Sequence, residues 1–281
     1  MADVLTGLTE TSATAEAIVS AEVQEVLTAA MVVPPLVSDY SAMVGPGMDR
    51  VKIARFSNFT VNTKAENTAV DAQALAFGTD SLLLDQHKVV QVLVEDIADL
   101  QAKVAVTQVY VQQMAKDLAA DMDLKLINDI ESGTSSSAPD HRIAYVGSTL
   151  AKADILAGRQ LLNTQNVPMA DRALLVSPVS ESALMAISEF TRVDEAGGSL
   201  ALRNGQIGKL FGFDVIMSSQ VEDSKTLALH KSCHAFARQL APRVQQFNDI
   251  PNLAQRWSID HIFGSKTLDS GKRQVLLGSA S

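Results

Sequence analysis

Between Glu95 and Glu131 the apolar side chains Ile97, Leu100, Val104, Val111, Met114, Leu118, Met122, Leu126 and Ile130 recur in steps of three, four or seven. That spacing keeps one stripe on a single helix face. It predicts a helix over 95–131, a rod roughly 50 Å long at about 1.5 Å per residue. Asp96 stands at the N-cap position, Asp99 follows near the positive end of the dipole, and Gly133 with the serines after it supplies the stop.

The pattern changes on either side. Residues 1–12 read as a loose leader, and Ile18, Val19, Val23, Val26, Leu27 and Ala30 predict a short amphipathic helix that ends before Pro34-Pro35. Prolines and Gly45-Pro46-Gly47 then mark an irregular extended arm to Met48. Val51–Phe56 alternates with period two, and Ser81–Val94 is a second extended run rich in Leu and Val. Between them lies a polar excursion, 62–78, carrying Lys64, Glu66, Asn67 and Asp71. Two strands joined by so long a polar tip predict a projecting hairpin, and an isolated hairpin is marginal in water. It needs a surface outside its own domain.

Beyond the long helix, Thr134–Asp140 reads as a Ser/Pro linker and a domain seam. Helix and strand then alternate. Helices are predicted at Thr149–Gln165 and from Pro178 through Phe190, with a shorter one around His230–Phe236. Strands are predicted at Arg172–Ser177, Phe211–Met217, Thr226–Leu229 and Arg243–Phe247. Residues 191–210 form a Gly-rich loop, and Ala254–Phe263 and Arg273–Leu277 read as two strands around the turn Asp269-Ser270-Gly271.

Composition narrows the function. With 47% hydrophobic side chains in 281 residues the chain can bury a substantial core. A formal net charge of −9 argues against gripping nucleic acid by neutralising phosphates. The lone Cys233 cannot form an intrachain disulfide. The N-terminus carries acids where a signal peptide carries basic residues, and no run approaches the ~18 apolar residues of a membrane span. A soluble protein made inside the cell, without a membrane partner, is expected.

Candidate chemistry is thin. His230, Cys233 and His234 sit at i, i+3 and i+4, which on a helix would put three metal-ligand types on one face. No second Cys/His pair exists to complete four ligands, so a buried thiol beside partly exposed imidazoles is expected. Gly205-Gln206-Ile207-Gly208-Lys209 suggests a phosphate loop or an RNA-binding clamp, but Arg203 replaces the first glycine of the former and Leu210 its hydroxyl residue. Gly197-Gly198-Ser199-Leu200-Ala201 lacks the last glycine of a nucleophile elbow. Asp117, Asp121 and Asp123 read as the solvated face of the long helix, and His87 and His141 as surface or turn residues. No catalytic residue, metal site or cofactor is assigned.

Several stretches together resemble the major capsid proteins of tailed bacteriophages with the Hong Kong 97-type shell fold. They begin with Ala65-Glu66-Asn67-Thr68-Ala69-Val70, then Asp85-Gln86-His87-Lys88 leading into Val94-Glu95-Asp96-Ile97. Arg159-Gln160-Leu161-Leu162-Asn163, Asn166-Val167-Pro168, Asp171-Arg172 and Val176-Ser177-Pro178 follow. Last come Arg203-Asn204-Gly205-Gln206-Ile207-Gly208, Phe211-Gly212-Phe213-Asp214-Val215 and His230-Lys231-Ser232. Their order and spacing hold from about residue 50 to residue 281.

The resemblance implies an α+β fold divided into an N-terminal arm with a short helix (1–48), an extended hairpin loop (49–94), a peripheral domain with a spine helix (95–148), an axial α/β domain (149–250) and C-terminal strands returning to the peripheral domain (251–281). It implies a structural protein, not an enzyme. Copies would self-assemble into hexamers and pentamers of an icosahedral head that encloses phage DNA without binding it specifically. Separate scaffolding, portal and decoration proteins are possible partners. Synthesis would take place in the host cytoplasm, with the virion as destination. Intersubunit contact candidates are Lys64, Glu66, Asn67, Asp71, Arg203 and Asn204. Some relatives crosslink subunits through Lys and Asn; Lys64 is a loop lysine of the right type only. The competing readings are an encapsulin-type compartment with a protein cargo, and an α/β enzyme in which His230, His234 or Ser199 would have to converge with an acid.

Overall fold

The computed structural model describes residues 31–56, 59–64, 66, 67, 69, 72–74, 77–95, 106–137, 139–147, 149–186, 208–252 and 254–278. The expected leader and helix before residue 31, the N-cap at Asp96, and the loop from 191 to 207 lie outside them. Within them the chain forms β1 (Ser38–Asp39), β2 (Arg50–Phe56), β3 (Phe77–Leu83), β4 (Gln86–Glu95) and the long helix α1 (Val106–Gly133). Next come β5 (Arg142–Ile143), α2 (Lys152–Thr164), β6 (Arg172–Val176), α3 (Pro178–Met185), β7 (Lys209–Leu210) and β8 (Phe213–Met217). The last strands are β9 (Lys225–His230), β10 (His234–Asp249), β11 (Ala254–Thr267) and β12 (Gln274–Gly278).

The strands build a four-stranded sheet ordered β1-β10-β11-β4, a six-stranded sheet ordered β5-β12-β9-β6-β8-β7, and the separate pair β2-β3. Helix α1 holds the two larger sheets together. Val111, Met114, Ala115, Leu118 and Ala119, in its first half, pack on Val244, Trp257 and Ile259 of the four-stranded sheet. Met122, Leu126, Ile127 and Ile130 enter a larger cluster with Phe236 and Phe263 of that sheet and with Leu175, Leu227, Leu229 and Leu276 of the six-stranded one. Helices α2 and α3 cover the other face of the six-stranded sheet through Ile155, Leu162 and Leu184. Strand β6 is buried along its whole length, which is why it reads as an apolar run from Ala173 to Val176.

Local chemistry explains the boundaries. Ser177 caps α3 by accepting the Ser180 amide N–H at 3.2 Å, and Pro178 occupies the first helical position. Phe211 and Gly212, both at positive φ, make the two-residue turn that joins β7 to β8. Buried Arg172 donates to the carbonyls of Pro168 (2.8 Å) and Val167 (2.6 Å) and to the Asn163 side chain (2.9 Å). It thereby stitches the end of α2 to the start of β6.

Four expectations are corrected. Glu95 closes β4, and the described helix runs from Val106 to Gly133. The run Ser81–Val94 is two strands: β3 pairs with β2, whereas β4 pairs along its length with β11, so the hairpin is built by β2 and β3 alone. A short 3-10 turn at Lys231–Cys233 replaces the helix expected at His230–Phe236, and His234 opens a strand of 16 residues that contains Arg243–Phe247. Finally, β11 and β12 do not pair with each other across Asp269-Ser270-Gly271. That turn carries the chain from the four-stranded sheet to the six-stranded one. All three of its residues have positive φ (50°, 54° and 72°), and the Gly271 Cα lies so close to the Gly133 carbonyl that a Cβ there would overlap it.

Candidate assembly interface

The β2–β3 ladder pairs Arg50 with Leu83 at its base and Phe56 with Phe77 at its far end. Its apolar burial is confined to the base. Val51 and Leu82 are buried against Ala235 and Ala237 of β10. Farther out, Phe59, Val61 and Phe77 are exposed, at 63%, 94% and 64%. The Gln73 side chain clamps the backbone of Thr60 across the loop, accepting its N–H at 2.9 Å and donating to its carbonyl. Lys64, Glu66 and Asn67 are exposed at the tip, where Asn67 takes a left-handed turn conformation (φ 59°) that its short side chain tolerates. Asp71, Arg203 and Asn204 lie outside the described residues. Toward the far end of the ladder, the Arg55 guanidinium, paired opposite Gly78, stands 3.8 Å from Asp269, which also accepts from Arg273 at 3.1 Å.

The arm is anchored on α1. Asp123, mid-helix and buried, accepts the backbone N–H of Val32 at 2.9 Å and of Val33 at 3.1 Å. Desolvation pushes its carboxyl above the ordinary range, while the two amides pull it back. This corrects the expected solvated face. Asp117 is bonded to Gln113, and Asp121 stands 3.1 Å from the Lys88 ammonium, but Asp123 holds the arm. Beyond it Val33 and Val37 enter the core, β1 pairs in parallel with β10, and the Ser41 hydroxyl accepts the Arg238 N–H at 2.9 Å.

No reactive constellation emerges from the candidate residues. His230 turns its Nδ1 to the Ser232 hydroxyl at 2.8 Å. Desolvation pushes the buried Cys233 thiol up to about 12, so it is an inert thiol. His234 is fully buried, not partly exposed, and burial lowers its imidazole to about 4. Among the described residues no three His, Cys, Asp or Glu side chains are grouped to hold a metal ion. Lys209 starts β7 and pairs with Asp214 at 3.3 Å, while Ser199 and Arg203–Ile207 fall outside the described residues. His87 is half exposed beside Asp260. His141, expected at the surface, is completely buried with its Nδ1 2.9 Å from the Gln274 carbonyl. No helix among the described residues is long and apolar enough to cross a membrane.

An extended hairpin, an N-terminal arm and a long spine helix under two sheets are the parts of the Hong Kong 97-type capsid subunit. Solved structures share the fold. That of Mycobacterium phage Che8 matches with a TM-score of 0.75 and 27% identity, covering 89% of this chain and 92% of that one. The capsid of cyanophage P-SCSP1u matches at 0.71 and 15% identity (88% and 87% covered), and the mature capsid of bacteriophage PhiM1 at 0.69 and 14% (89% and 87%). These last two show the fold alone. No curated protein sequence matches.

The fold class is therefore that of tailed-phage major capsid proteins. A model of the phage capsid protein family matches residues 88–272, and the chain belongs to that family. It is a structural shell subunit of the virion capsid, not an enzyme. The encapsulin-type compartment is not favoured.

Proposed function

We propose that copies of this chain close into hexamers and pentamers of an icosahedral head that encloses phage DNA, with each hairpin lying over a neighbouring subunit. The observation that carries the reading is the gradient along the hairpin, from buried Val51 and Leu82 to exposed Phe59, Val61 and Phe77. An apolar, two-stranded projection gains stability only when another surface covers it, so hairpin order and assembly are linked by mass action. Head-to-tail contacts of this kind generate rings. Lys64, Glu66, Asn67 and Asp71 would meet the neighbour at the tip, and Arg203 and Asn204 would meet copies around the ring centre. In this reading 1–48 is the arm, 49–94 the extended loop, 95–148 the peripheral domain, 149–250 the axial domain and 251–281 the C-terminal strands. A net charge of −9 suits a wall that contains DNA without gripping it. Assembly would begin in the host cytoplasm, where separate scaffolding, portal and decoration proteins could take part.

Light scattering and electron microscopy of the purified chain test this. Megadalton particles, or discrete pentamers and hexamers, are expected; a 30 kDa monomer at every salt and protein concentration would sink the proposal. Deleting 62–78 should leave a soluble subunit that no longer closes shells. Normal assembly of that deletion would remove the hairpin from the mechanism.

A further inference from the structure

The face of β11 that packs under α1 is a row at every second residue: Trp257, Ile259, His261 and Phe263, followed by Ser265 and Thr267, which bond to Asp129 of the helix. In an otherwise apolar stretch of that row, His261 is completely buried and neither ring nitrogen has a hydrogen-bond partner; its ring stacks edge-on to Phe263 at 5.0 Å. His234, opening the neighbouring strand β10, is likewise completely buried. Its Nδ1 lies 3.3 Å from the Thr267 hydroxyl and its Nε2 is unpartnered. Two imidazoles therefore lie in the layer between the spine helix and the sheet, with no partner at either His261 nitrogen or at His234 Nε2, so a cationic ring at either place would bury at least one unpaired N–H.

We infer that this layer is an acid-released latch: with both imidazoles neutral the spine helix stays docked, and a proton on either one is accommodated only when α1 lifts from β10 and β11. The charges around them are balanced. Asp121 on α1 and Asp260 on β11 favour a cationic His261, whereas Lys88 on β4 and Arg238 on β10 oppose it. Asp129 on α1 favours a cationic His234, whereas Lys125 on the same helix and Lys266 on β11 oppose it. With the charges offset, loss of water decides, and burial holds both imidazoles down to about 4. Because the open layer binds these protons near the ordinary histidine value of about 6.5, the docked state is fully favoured above that pH and progressively lost as pH falls toward 4.

Hydrogen–deuterium exchange of the full chain between pH 7.5 and 4.5, corrected for intrinsic rates, tests the latch. Exchange of α1, β10 and β11 should rise together, about tenfold per pH unit below 6.5 for each imidazole involved. His234→Gln and His261→Gln should each remove part of that slope and the double variant nearly all of it, while His87→Gln, at a half-exposed histidine, should keep it. A wild-type profile that is flat, or a slope retained in the double variant, overturns the inference. If the variants do not fold, exchange at the imidazole C2 positions of the wild-type chain decides: both buried histidines must titrate well below 6.5, and ordinary values overturn the latch.

Discussion

Replacing Asp123 tests how the arm is held. Asp123→Ala leaves two backbone donors, Val32 and Val33, without an acceptor, and Val33 is wholly buried. An unsatisfied buried donor costs about 1–3 kcal/mol. Against this, the variant no longer buries a carboxylate whose desolvation outweighs its hydrogen bonds, as the upward shift of its pKa shows. A net loss of about 2 kcal/mol follows from the difference. Asp123→Asn keeps one acceptor and also drops the charge, so it should stay within about 1 kcal/mol of wild type. Urea unfolding followed by fluorescence of Trp257, the single tryptophan, which packs beneath α1, reads both numbers. The pH dependence has a definite sign. A carboxyl whose folded pKa is raised holds its proton in the native state while the unfolded chain has lost it, so wild type should gain on Asp123→Asn as pH falls through that window. Equal stability of Asp123→Ala and wild type, or a wild type that loses ground to Asp123→Asn in acid, would refute the anchoring argument.

Two further substitutions probe the turn between the sheets. Gly271→Ala would drive a methyl into the Gly133 carbonyl at a φ of 72°, and neither backbone can retreat; a loss above about 3 kcal/mol, seen as lost soluble yield or a large fall in melting temperature, is expected. Ser270→Gly relieves a left-handed residue (φ 54°) at some entropic cost to the unfolded chain, and should raise the melting temperature by the equivalent of about 0.5 kcal/mol. A melting temperature unchanged by the first, or lowered by the second, would contradict the steric reading of this turn.

Much of this architecture is written in local pattern. Arg172–Val176 is legible because a strand buried on both faces shows a continuous apolar run, here Ala173–Val176. The stripe from Val111 to Ile130 is legible because a helix over a sheet repeats its contacts every turn. Pairing partners are not local. Ser81–Val94 reads as one strand because only Leu84 and Asp85 separate β3 from β4, and nothing in those residues says that β4 joins β11, some 160 positions on. Asp123 looks like its neighbours Asp117 and Asp121; its burial is set by Val32 and Val33, about 90 residues earlier. The spacing of His230, Cys233 and His234 fits a helix face equally well, and only the β10–β11 ladder turns His234 into a strand residue. At the hairpin tip Lys64, Glu66 and Asn67 are exposed, as a polar excursion between two strands requires. The groups that anchor the arm and hairpin, Asp123, Ala235 and Ala237, carried no signal beyond being small or acidic.

The place of β12 sets an order on synthesis. It lies between β5 and β9, yet every other described strand of its sheet precedes it in the chain. While the chain is being made, β5 therefore waits beside an empty slot, and β9 with β6 and β8 can form only part of the sheet. The four-stranded sheet waits too, because β4 has no described partner until β11 emerges. One late segment, Ala254–Gly278, thus closes both sheets within a few residues of each other. A chain interrupted before it presents two unfinished edges, and a ribosome must pass Gly278 before any subunit is ready to meet another.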